Sequence, residues 1–167
     1  ALRLINETTA SSVSTVSVTD VFSSDFDIYK IVIDNFDKVD TSFEDLTFRF
    51  INASGSVISA SNYDYGYLAE RSWTTFAEGR NTNQTLVPGI GADDQQGGNG
   101  SVIYVFNPYS ASSYNFILWQ GNGFLTGNGY VSYKGIAVLK QTASMGGFQI
   151  FAQSQAQNIN ANVKTFG

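Results

Sequence analysis

The sequence predicts an all-β chain, an antiparallel β-sandwich of jelly-roll-like type with eight to ten short strands. Apolar residues alternate with a period of two in short segments bounded by Gly, Asn and Ser. Proline is almost absent, with 2 in 167 residues, whereas glycine occurs 16 times, which suits turns and strand ends better than helices. Helical periodicity is nearly missing. "YGYLAERSW" (65–73), with Tyr65 and Leu68 on one face, is the one candidate for a short helical turn.

Taken in order, "STVSVTDVF" (14–22) alternates at Val16 and Val18, and "FDIYKIVIDNF" (26–36) follows a Ser-Ser-Asp turn. "DLTFRFIN" (45–52) sets Leu46, Phe48 and Phe50 on one face and Thr47 and Arg49 on the other. "NASGS" (52–56) turns the chain into a short partner, "VISAS". "QTLVPGI" (84–90) carries Pro88 and is expected at an edge or strand end, because proline donates no ladder hydrogen bond. "SVIYVFNP" (101–108), "SYNFILWQ" (113–120), "YVSYKGIAVLK" (130–140), "GFQIFAQSQ" (147–155) and "NINANVKTF" (158–166) complete the set. Loops are expected at 34–45, which is acidic, at 89–101, which is glycine-rich, and at "GNGFLTGNG" (121–129), whose Asn-Gly pairs suit tight turns.

A chain of this length is expected to form one domain over 1–167, burying roughly 70% of its unfolded surface. Residues 1–12 are either an N-terminal arm, with "ALRLI" as a peg for a neighbour's sheet edge, or the first strand of the sandwich. This N-terminus shows no secretory cleavage pattern, so a product made in the cytoplasm is expected. No window is long and apolar enough for a membrane-spanning helix.

The composition is unfavourable to most chemistry. Cysteine and histidine are both absent, which removes disulfides, thiolate metal sites, His-based triads and the commonest general base. No catalytic residue, metal site or cofactor is expected. Asp64, Glu70 and Glu78 around Trp73 are the carboxylates from which a glycosidase pair would be drawn, and solvated acids are the simpler expectation. The spacing of Asp34, Asp37 and Asp40 does not match a Ca²⁺ loop. Nine basic residues against 14 acidic ones argue against nucleic acid as a partner. Only 14% of residues are charged, so few ions need desolvation on contact with another protein.

Apolar residues nevertheless occupy both faces of several strands. Ile28 and Val32 oppose Tyr29, Ile31 and Ile33; Tyr104 opposes Ile103 and Val105; Phe116 and Leu118 oppose Ile117 and Trp119. A free-standing sandwich leaves its outer faces polar. The second face is expected beneath another copy of the chain or a larger host surface, or else beneath a third layer formed by 60–80. The interface residues assigned on this basis are Leu2, Leu4, Ile5, Tyr29, Ile31, Ile33, Ile103, Val105, Ile117 and Trp119. Tyr63, Tyr65, Tyr67 and Trp73 form an alternative platform for stacking on glycans.

"FSSDFDIYKI", "FINASGSV", "NPYSASSY" and "YKGIAVLKQTASMGGFQIF" resemble, in that order, segments of small virion structural proteins of marine tailed phages such as cyanophages. The resemblance covers most of the chain and carries no catalytic signature. It implies a capsid decoration protein in the virion, oligomeric (a trimer) and in contact with other virion proteins such as the major capsid protein. The alternatives are a tail or fibre component, or a carbohydrate-binding module.

Overall fold

A computed structural model describes residues 2–39, 44–93, 98–154 and 157–167. These form twelve strands: β1 (Leu4–Val13), β2 (Thr15–Val18), β3 (Ile28–Lys38), β4 (Glu44–Asn52), β5 (Tyr63–Arg71), β6 (Ala77–Gln84), β7 (Val87–Asp93), β8 (Asn99–Phe106), β9 (Asn115–Leu125), β10 (Gly129–Leu139), β11 (Met145–Ala152) and β12 (Ile159–Phe166). They make two antiparallel sheets, ordered β1-β12-β3-β8-β9-β10-β5-β6 and β2-β11-β4-β7. With β5–β6 and β8–β9–β10 each taken as one run, the chain alternates between the two sheets along its whole length. That alternation is the winding of a jelly roll, with extra strands inserted into the larger sheet.

The core lies between the sheets. Leu46, Phe48 and Phe50 point into it from β4, as their alternation predicts, and Phe48 stacks on Phe148 of β11 at 5.7 Å. Val87–Asp93, which contains Pro88, is the edge strand expected there. Residues 65–73 are not helical, since Tyr63–Arg71 is a strand whose Tyr63 and Ala69 are buried by period-two alternation. Nor do 60–80 fold back as a third layer, because β5 and β6 extend the large sheet in its own plane.

The glycine-rich segment 121–129 divides into two parts. Thr126–Asn128 turn the chain, and Gly127 and Gly129 have φ of 79° and 134°. Gly121–Asn122–Gly123, by contrast, continue β9. A methyl group on Gly121 would overlap the carbonyl oxygen of Ile90, and one on Gly123 would overlap that of Ala92. These glycines let β7 lie directly on β9. Trp119 Nε1 donates to Gly89 O at 2.7 Å and Ser101 Oγ donates to Ile90 O, so the buried carbonyls of β7 are satisfied from the sheet below. Likewise, 89–93 belong to β7 and 99–101 to β8 rather than to a long loop.

The N-terminal segment is a strand of this sandwich. β1 pairs along β12, and Arg3 and Gly167 exchange both backbone hydrogen bonds, at 2.9 and 3.0 Å.

Replacing Gly121 with Ala is expected to separate β7 from β9 at a cost of about 1–3 kcal/mol, by overpacking. Urea unfolding checks this: the midpoint should fall with an unchanged slope, and Asn122→Ala, on the outer side of the same strand, should shift it by less.

Candidate assembly surface

Seven of the residues assigned to an interface lie elsewhere. Tyr29, Ile31, Ile33, Ile103, Val105, Ile117 and Trp119 are at most 4% exposed and form part of the core. Alternation defines two faces of a strand but not which one meets the other sheet. On the inward face, two of the assigned side chains also reach hydrogen-bond partners within the fold. Tyr29 Oη accepts from Ser23 N at 2.8 Å and donates to Ser23 O at 3.0 Å, and Trp119 bonds to β7. The signal available in the sequence was charge and polarity on the other face: Lys30 between Ile28 and Val32, and Gln120 after Leu118. Of the N-terminal residues assigned with them, Leu2 and Leu4 are exposed, whereas Ile5 packs partly against the core.

The glycan platform does not form either. Tyr63 is buried, accepting from Phe50 N at 2.9 Å and donating to Ile58 O at 3.0 Å. Tyr65 and Tyr67 stack on one another on the inner side of β5, and Tyr67 meets the edge of Tyr133. Trp73 packs on a separate small cluster with Ala69, Leu125 and Val131, beneath the guanidinium of Arg71 at 5.9 Å. The four rings therefore present no common exposed surface.

Of the carboxylates around Trp73, Glu78 is exposed on β6, while Asp64 and Glu70 are engaged by neighbours. Asp64 pairs with Lys140 at 2.9 Å and accepts from Asn83 N, and the Lys140 bond holds its carboxyl below the usual range. Glu70 pairs with Lys134 at 3.4 Å. Asp34 bonds to Lys164 and Asn162, and Asp37 to Asn160, all on the outer side of β3 and β12. Asp40 and Asp94 lie outside the described residues. Among the described residues no group of three or more metal-ligating side chains occurs.

Apolar surface does reach solvent, on the opposite face from the one assigned. On the outer side of the large sheet, register aligns Lys30 (β3), Tyr104 (β8), Leu118 (β9), Ile136 (β10), Gly66 (β5) and Arg80 (β6) in one row across six strands. The next row holds Ile28, Phe106, Phe116 and Val138. Ile28, Tyr104, Phe116, Leu118 and Ile136 are between 41% and 61% exposed. Together they form an exposed apolar patch, and the largest such patch on a monomer, commonly about 300–600 Å², is often functional. The face is hollowed: depressions of about 960 and 760 Å³ share Gly66, Arg80, Leu118 and Ile136 in their walls.

No protein-family model and no curated protein matches the chain. Among solved structures, the infectious bursal disease virus VP2 subviral particle is similar over 99% of this chain and 35% of its own, at 11% identity and a TM-score of 0.14. The infectious bursal disease virus Gx strain is similar over 99% and 40%, at 10% identity and 0.15. The chain thus spans little more than a third of those chains, and likeness at these TM-scores fixes neither fold nor function.

Tyr63 and Tyr133 make the fold sensitive to alkali. Burial raises the phenols of Tyr63 and Tyr133 well above the ordinary tyrosine range, and for Tyr133 the nearby Asp45 carboxylate, 3.2 Å from its hydroxyl, adds to the rise. The folded state keeps protons there that the unfolded chain releases. Their contribution is therefore intact below pH about 10 and is lost as the pH rises from there through the folded-state values. In titration followed at 295 nm, these two of the nine tyrosines should ionise only together with unfolding. Tyr63→Phe leaves the Phe50 amide without its partner and should cost about 1–3 kcal/mol by denaturant unfolding.

Proposed function

We propose that the chain is a non-enzymatic virion structural protein, a capsid decoration subunit whose large-sheet outer face seats on the shell. The observation that carries this is the row of exposed apolar side chains through Tyr104, Leu118 and Ile136, on a strand face that a lone sandwich leaves polar. Sparse charge supports the reading, because little ion desolvation opposes contact. So does the ordered resemblance of the chain's strand segments to small virion proteins of marine tailed phages. A decoration subunit needs a rigid body and one adhesive face, and a two-sheet sandwich with a hollowed apolar face offers both.

The deciding experiment is localisation of the chain on intact particles by cryo-electron microscopy, with purified protein added back to undecorated heads. Density on the outer shell, saturating at fixed sites, is the expected result; absence from particles overturns the proposal. Leu118→Glu combined with Ile136→Glu should leave the thermal midpoint nearly unchanged and weaken shell binding roughly a hundredfold or more, since each buried aliphatic contributes about 1.5–3 kcal/mol.

A further inference from the structure

Gly66 is a glycine that the fold itself does not require. It sits in the interior of β5, where glycine weakens a strand. Its φ is not in the left-handed region, and a Cβ built on it would meet nothing within 4 Å. Other strand glycines differ: a methyl would strike the Tyr67 ring at Gly79, Ile90 O at Gly121, Trp119 at Gly135 and Val18 O at Gly147. At Gly66 the space above the backbone is open, and it opens onto the outer face, where both hollows meet between Ile136 and Arg80. A bare backbone position under an open hollow is suited to the close approach of something from outside.

Charge and shape indicate what approaches. The larger hollow is walled by Lys30, Arg80 and Lys134 against the single carboxylate Glu78, in a chain whose net charge is −5. Lys134 is paired with Glu70, but Lys30 and Arg80 make no ion pair among the described residues. They stand at the two ends of the apolar row, on β3 and β6. Two copies placed face to face would oppose two hollowed surfaces bearing the same cations, which is unfavourable in shape and in charge.

We infer that the outer face of the large sheet receives a convex, acidic and apolar element of a partner protein, with one bulky apolar side chain seated over Gly66 between Ile136 and Arg80 and with carboxylates meeting Lys30 and Arg80. This rests on the assembly reading above and names the chemistry of its partner. Apolar contact with Tyr104, Leu118 and Ile136 supplies the adhesion, and the flanking cations fix the direction and register of the incoming element.

The test uses the full chain and a soluble probe, a 14-residue peptide of alternating Leu, Phe and Glu with one central Trp, beside its Glu→Lys counterpart. Backbone amide shifts are followed by NMR. The acidic peptide is expected to perturb Gly66, Leu118 and Ile136 saturably, and the basic one to bind at least tenfold more weakly. Gly66→Val fills the hollow and favours the strand, so its thermal midpoint should hold or rise while acidic-peptide affinity falls at least tenfold. Arg80→Glu, at an exposed position, should reduce that affinity severalfold without unfolding. Equal binding of both peptides, shifts confined to other surfaces, undiminished binding by Gly66→Val, or a dimer closing through this face would each overturn the inference. Particle binding separates the two proposals: wild-type and Gly66→Val protein decorating heads equally would remove this inference and leave the virion reading standing, whereas wild-type protein absent from heads would remove the latter.

Discussion

Strand β7 rests on β8 and β9 with its carbonyl oxygens where side chains would otherwise stand, and the sandwich closes at the spacing that this allows. Gly121 and Gly123 leave room for the oxygens of Ile90 and Ala92. Trp119 and Ser101 donate to Gly89 and Ile90, so a strand edge pressed into the core keeps its buried carbonyls paired. Much else follows from this contact. With β7 locked down, the small sheet covers the inner side of β3, β8 and β9, and Tyr29, Ile31, Ile103 and Ile117 become core. The same closure turns Tyr104, Phe116, Leu118 and Ile136 toward solvent. The exposed apolar face is thus a consequence of how the sandwich shuts.

Glycine has three separate uses along these strands, and they must be distinguished one position at a time. At Gly127 and Gly129 it supplies positive φ for a turn. At Gly121, Gly123, Gly135 and Gly147 it yields space to a neighbouring backbone or ring within the chain. At Gly66 neither reason holds, and the vacancy opens outward. The cost of a strand glycine is about 0.5–1 kcal/mol relative to Ala, so a position that bears that cost with no internal return points to a return gained elsewhere.

Polar groups are distributed in keeping with this division of faces. Of the inward tyrosines, Tyr63 is tied to backbone and Tyr133 to Asp45, and burial raises both phenols above the ordinary range. Several outward charges find partners across neighbouring strands, as Asp34 does with Lys164, Asp64 with Lys140 and Glu70 with Lys134. Exposed pairs of this kind contribute little to stability. They matter here by contrast, since Lys30 and Arg80, at the ends of the apolar row, make no ion pair among the described residues.

Local chemistry made much of this fold legible in the sequence. Period-two alternation located nine of the twelve strands, Pro88 placed β7 at an edge, and Asn128-Gly129 marked the turn into β10, whereas β5 reads as a helical turn, β1 equally as an arm, and the polar β6 gives no apolar alternation at all. The same reading mistook Asn122-Gly123 for a second turn, because a glycine chosen for close approach looks identical to one chosen for its φ. It also found that β3, β8 and β9 are apolar on both sides, yet assigned the inward side to the interface. The alternation of a single strand carries no information on where the second sheet lies. That is set by contacts between residues far apart in the chain, such as Trp119 with Gly89 and Tyr63 with Ile58 and Phe50. The sequence by itself determined most of the strands and the double-sided apolarity of β3, β8 and β9. Only the tertiary structure decided which side the core consumes and which side remains available to a partner, because inside and outside exist only once the sheets have met.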